Sequence, residues 1–169
     1  WMEHARAFGA LGLGDAGAYL ELSGRAARRF ELAGDLRSVA NARGHLGFAF
    51  LQVGAYAEAE AALREALSAA RRMGLHNVVA TAQNNLGIAL AHIGSLDDAV
   101  TVENQAIRLA STQGDRRLEG GSRHYLAIIY AMRGEHRRAA DEARNAERVL
   151  QVAPPLRAHA LATLARALM

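Results

Sequence analysis

The chain has no cysteine and no lysine; all twenty basic residues are arginine. The first absence excludes disulfides and thiolate metal sites. The second excludes Schiff-base chemistry and any phosphate-loop lysine. Aromatic residues make up 5% of the chain, and there are two prolines. No apolar run approaches the ~20 residues needed to span a bilayer. The N-terminus also lacks the charged, apolar, small-residue order of a secretion signal. These absences lead us to expect a soluble cytoplasmic protein with no membrane partner. The 169 residues suffice for one domain with a substantial core. Half of them are apolar, with alanine dominant, which suits helices that approach closely better than one thick core. Heavy Ala, Arg and Gly usage without Lys is associated with bacterial genomes rich in G and C.

A large excess of charge of one sign is lacking too. The formal net charge is +3. Residues 1–100 carry 9 Arg against 10 acids, and residues 101–169 carry 11 Arg against 7. The acids are interspersed, as where Glu135 and Asp141 flank Arg137 and Arg138. A solvated helix face explains this better than a nucleic-acid site, which favours a concentrated basic stripe.

Chemical motifs are also missing. The seven histidines include no pair three or four residues apart, and no HExxH run occurs. There is no GxSxG elbow for a nucleophilic serine. The glycines punctuate helices and do not cradle phosphate. We therefore expect no enzyme, no metal site and no cofactor.

What is present is a repeat. Asn41–Met73 matches Thr81–Gln113 and Gly121–Ala153 at an offset of forty residues. Leu46, Leu86 and Leu126 share a column, as do Gly54, Gly94 and Gly134. Ala59, Ala99 and Ala139 share a third, and Ala66, Ala106 and Ala146 a fourth. A sustained offset of this size marks a repeat array. No segment alternates with period two, so no sheet is expected. Glycines and cap residues predict helices over about 2–13, 16–33, 36–53, 56–73, 77–93, 96–113, 116–133, 136–152 and 156–168. Asp15, Asp35, Asn77, Ser95 and Asp115 are the expected N-caps. Pro154 and Pro155 replace the next glycine and stop a helix. Gly47 and Gly87 sit inside helices, where glycine costs about 1 kcal/mol against alanine. Their recurrence predicts a close helix contact there, with Ala59, Ala66, Ala99 and Ala106 expected opposite. The fold class expected is all-α: a right-handed superhelix, or α-solenoid, of stacked antiparallel pairs. It forms one domain with repeats at about 1–35, 36–75, 76–115 and 116–155 and a half repeat at 156–169. Trp1 falls in register with Asn41, and the chain ends in half a repeat, so both ends are expected to be cut points of a longer protein.

The pattern resembles the tetratricopeptide repeat: Leu46-Gly47, Gly54, Ala59 and Ala66, then Leu86-Gly87, Gly94, Ala99 and Ala106. A third copy has Leu126-Ala127, Gly134, Ala139 and Ala146. The common form repeats every 34 residues. The forty-residue period is similar to the variant in kinesin light chains, spindle-orientation adaptors and bacterial signalling regulators. The first repeat departs from the pattern, lacking the Leu-Gly pair and carrying Tyr19 in an alanine column. Arg43, Gln83 and Arg123 stand where the family usually buries an apolar side chain. Their stems are expected to pack with their heads in water.

The resemblance implies that first helices line a concave surface holding a peptide. The residues expected there are Asn41, His45, Phe48 and Gln52, then Thr81, Asn84, Asn85, Ile88 and His92, then His124, Tyr125 and Ile128. The Asn84-Asn85-Leu86 run resembles the Asn-Asn-Leu of kinesin light chains. An asparagine amide can donate to and accept from a peptide backbone at once. Phe48, Ile88 and Ile128 either form an apolar ladder along the groove or pack on neighbouring first helices. The function implied is a protein- or peptide-binding scaffold, part of a larger bacterial signalling protein. Self-association through open repeat ends and sensing of a small ligand are the alternatives.

Overall fold

The computed structural model of the chain describes residues 2–168, and of His4 only the backbone. Trp1 and its expected register with Asn41 lie outside the described residues. Nine α-helices account for nearly all of what is described: α1 Met2–Gly12, α2 Ala16–Leu32, α3 Leu36–Gln52, α4 Tyr56–Arg72, α5 His76–His92, α6 Leu96–Gln113, α7 Arg116–Met132, α8 His136–Val149 and α9 Pro154–Ala167. Among the described residues there is no strand. Each helix is joined to the next by a short turn, so consecutive helices run antiparallel.

One joint is used seven times. Gly14, Gly34, Gly54, Gly74, Gly94, Gly114 and Gly134 all have positive φ, between 65° and 91°. The residue after each donates its N–H to a carbonyl five residues back, as from Asp35 to Phe30 and from Asp115 to Ala110. This is the Schellman closure, which satisfies orphan carbonyls at a helix end and favours glycine for its left-handed turn. At the next joint the rhythm breaks. Pro154 has no N–H to give, α8 tightens into a 3-10 turn at Leu150–Val152, and Ala153 is extended ahead of the prolines. The two prolines open α9 rather than simply stopping α8.

Three of the expected caps form. Asp15, Asp35 and Asp115 accept from the backbone N–H of Ala18, Ser38 and Leu118 at 2.9, 3.0 and 2.9 Å. Asn77 does not cap, because α5 begins at His76 and takes Asn77 into its first turn. Ser95 stands at the N-cap position of α6 without a side-chain cap bond.

The chain forms two compact units, Trp1–Asn85 and Leu86–Met169, with the boundary inside α5. In the first, α1 packs on α2, α2 on α3, and α3 on α4. In the second, α6 packs on α7, α7 on α8, and α8 on α9. The cores are built largely of alanine: Ala59, Ala66, Ala99, Ala106, Ala139 and Ala146 are all fully buried. Tyr19, the odd residue of the first repeat, is also buried, and its hydroxyl donates to the His45 carbonyl at 3.4 Å. It bridges α2 to α3 where a smaller side chain would leave space.

The close contacts at the helix glycines are real, but their partners are not the alanines expected. A Cβ on Gly47 would lie 2.5 Å from Leu63 Cγ, and one on Gly87 would lie 2.6 Å from Glu103 Cγ. Leu63 and Glu103 occupy one column forty residues apart. The alanines let the helices approach; the larger side chain one turn along fills the space over the glycine. Arg43 and Arg123 depart from expectation as well. Their guanidinium groups do not simply reach water. Arg43 is held by Glu31 and Glu65, and Arg123 by Glu119 and Glu142. Gln83, in the same column, is buried.

Candidate functional site

The expected groove residues fall into three groups, each on its own first helix. On α3, Asn41 and Gln52 are exposed, while His45 and Phe48 are half-buried. Helical spacing of four, three and four residues sets these side chains along one stripe. Their rings do not stand free. His45 meets Phe8 edge-on with centroids 5.0 Å apart, and Phe48 meets Tyr19 edge-on at 6.1 Å. Phe8 and Tyr19 are themselves 6.4 Å apart. Four rings from α1, α2 and α3 thus form one cluster, in the offset and edge geometries that aromatic quadrupoles prefer. Phe48 packs against the buried core of Ala7, Tyr19 and Ala49.

The α5 group differs from expectation. Thr81 and His92 are exposed, and the Thr81 hydroxyl donates to the Asn77 carbonyl at 3.0 Å. Asn84, Asn85 and Ile88 are buried, at 8%, 6% and 7% exposure. The Asn84 amide donates to the Asn85 side-chain oxygen at 3.3 Å. Changing Asn85 would therefore disturb packing as well as any recognition, and the expectation of a freely exposed amide is corrected. The misreading has a physical cause. Polar residues on an alanine-rich helix read as solvent-facing, but burial is set by neighbours that the helix's own sequence does not contain.

On α7, His124, Tyr125 and Ile128 are half-buried. The His124 ring lies 5.8 Å from that of Tyr125 and 6.3 Å from that of His159 on α9. Its Nδ1 is buried without a hydrogen-bond partner. Burial, with help from His159 and Arg166, lowers its pKa to about 4, so the ring is neutral at pH 7. Burial, and secondarily the nearby Glu103, raises the Tyr125 phenol to about 12. Among the described residues, no group of three or more His, Asp or Glu is arranged to hold a metal ion. Among the same residues, no helix is long and apolar enough to cross a membrane.

Two features escaped the sequence reading. One is Glu103, wholly buried in α6, its carboxyl facing Ser122 of α7 without a hydrogen bond of good geometry. It was legible in principle, since it stands in the column of Leu63. The other is a hollow of about 300 Å³ on α7 and α8, lined by Arg116, Arg123, Asn145, Arg148 and Val149. Its only sequence signal was the excess of arginine after residue 100.

Residues 38–112 match the tetratricopeptide repeat family. That match spans less than half of the chain. No curated protein matches the sequence. The likeness of fold extends over almost the whole chain. It superposes on the nearly identical TPR-like repeats of a protein described as a kinesin light chain from Podosopora anserina, with a TM-score of 0.74 at 19% identity. That match covers 98% of this chain and 83% of the other. BtubC from P. vanneervenii gives a TM-score of 0.69 at 15% identity, covering 98% of this chain and 82% of that one. The apo form of RapI gives 0.76 at 10% identity, covering 90% of this chain and 56% of its own. At these identities the structures speak for the fold alone: an all-helical array of helix pairs, as the columns predicted.

Proposed function

We propose that this TPR chain is a protein-binding scaffold that takes a peptide segment of its partner along first-helix faces. The observation that supports this most is the α3 stripe. Its inner side is committed to α4 through Gly47 and Leu63, yet Asn41 and Gln52 are exposed and His45 and Phe48 are only half-buried beside them. A stripe that mixes apolar rings with amides suits a peptide, whose backbone needs hydrogen bonds and whose side chains need apolar contact. Tyr125 and Ile128 offer the same mixture on α7. The role is to bind rather than to catalyse, within a larger bacterial signalling protein in the cytoplasm. Leu13, at 88% exposure, and Met2, at 72%, favour self-association through the N-terminal end as the second reading.

Selection of binders from a displayed random-peptide library tests the scaffold reading. Selected peptides should lose about tenfold or more in affinity with Gln52→Ala or Asn41→Ala, each of which leaves the melting temperature nearly unchanged. Arg148→Ala, on the second-helix side, should do little. Peptides sensitive to Arg148→Ala and indifferent to the α3 changes would move the binding surface to the arginine-lined hollow. Mass that rises with concentration in light scattering, with no peptide selected, would favour self-association.

A further inference from the structure

Glu103 has no part in the proposed stripe, and its burial calls for a reason. Its side chain lies over Gly87, and a Cβ there would come within 2.7 Å of its carboxyl carbon. It is fully buried, and neither oxygen has a hydrogen-bond partner of good geometry. From α7 it is faced by Ser122 and Tyr125, and from α5 by the backbone at Gly87. Among the described residues no arginine or histidine acts on the carboxyl. An unpaired carboxylate in such a place is far costlier than a neutral acid.

We propose that Glu103 is a proton-operated latch of the C-terminal unit. With the carboxyl protonated, α6 lies closed against Gly87 and α7; loss of that proton releases α6 locally. The inference needs no partner and stands apart from the scaffold reading. Burial pushes the carboxyl well above the usual glutamate value of 4.5, and Ser122 offsets part of this. The sign is then fixed. Below the unfolded value both states hold the proton and α6 is fully stable. As pH rises toward the folded value, only the folded state keeps it, and stability falls. The loss is about tenfold in the unfolding constant per pH unit within that window, for one proton. His124, lowered to about 4, works in the opposite sense on the acid side, so the latch must be read as a difference between variants. The molecule provides its own control, because Leu63 lies over Gly47 in the same column and carries no charge.

The test uses the full chain as wild type, Glu103→Leu and Glu103→Gln. Urea unfolding is followed from pH 5 to 8.5, with hydrogen exchange corrected for intrinsic rates. Glu103→Leu should gain on the wild type as pH rises, by tenfold or more in the unfolding constant across the range. Glu103→Gln should also gain with pH, from a lower starting stability. Amides of α6 should lose protection relative to those of α4 with rising pH in the wild type alone. A stability gap that stays constant with pH would overturn the proposal, as would parallel protection of α4 and α6. Should Glu103→Leu fail to fold, Glu103→Gln, which matches the native shape, carries the same comparison.

Discussion

Forty residues apart, α4 and α6 set different side chains over the same glycine. Leu63 is the ordinary solution: a wholly buried aliphatic group, worth about 1.5–3 kcal/mol over exposure. Glu103 has similar bulk and opposite chemistry. The third copy does neither. Its corresponding residues are Ala127 and Ala143, both fully buried, so the space is shared between two small groups. Another column makes the same trade. Gly120 faces Leu150 at 2.6 Å from a built Cβ to Cδ2, whereas the matching positions of the earlier repeats, Ala40 with Ala70 and Ala80 with Ala110, are all alanine. Across these repeats a large side chain at one position goes with glycine at the other, and two alanines are the alternative, while polarity is left free. Close packing penalises a void or an overlap at once, whereas a buried acid can escape much of its penalty by staying neutral.

The largest effect should come from breaking the trade. Gly87→Leu and Gly47→Leu add bulk against filled space, at or above the upper end of the about 1–3 kcal/mol typical of overpacking. Urea midpoints should fall sharply for both. An unchanged midpoint for Gly87→Leu would show that α6 can move off at no cost.

Transplanting the second solution into the first unit should come next. Leu63→Glu should destabilise by about 2–4 kcal/mol near pH 8 and by less near pH 5, as the acid neutralises. A cost independent of pH would mean that shape, not charge, sets the difference between the two columns.

On the acid side, His124 sharpens the contrast. Its depressed value, about 4 against an ordinary 6.5, means that its contribution is present at neutral pH and is lost as pH falls through that window. His124→Phe should remove an acid loss of order 1–2 kcal/mol, allowing for partial exposure. Melting curves at pH 7 and 4.5 measure it. An equal drop in both proteins would refute the assignment.

The smallest effect concerns the caps. Asp115→Ala should cost about 1 kcal/mol, because its carboxylate holds the Leu118 N–H. Ser95→Ala should stay within about 0.5 kcal/mol, since Ser95 makes no cap bond. Equal costs would show that cap identity matters less than the glycine before it.

The helices were legible because their punctuation is regular: a glycine at every joint but the last, followed at three joints by a capping aspartate. Where one signal was used alone it misled. Asn77 looked like a cap, but Leu75 begins the turn and α5 starts at His76. The site was less legible than the fold. His45 and Phe48 could be placed on a stripe by spacing, but their ring contacts with Phe8 and Tyr19 depend on where α1 and α2 lie, which spacing along α3 does not contain. Asn84 and Asn85 were read by their polarity, and burial is a property of neighbours. Glu103 was visible as a column mismatch, although only the packing over Gly87 gives the mismatch a meaning.

The seven equal joints bear on how such a chain can lengthen or shorten. A segment of forty residues, copied or deleted between two joints, keeps the sixteen-residue spacing by which Gly47 meets Leu63 and Gly87 meets Glu103. A segment of twenty leaves every turn intact yet sets a second helix where a first belongs, and each glycine then faces the wrong residue. The turns alone would permit either step. The buried pairs accept only the longer one, so a gene for this array can be edited in whole pairs but not in single helices, and the joint at Pro154 lies outside that grammar.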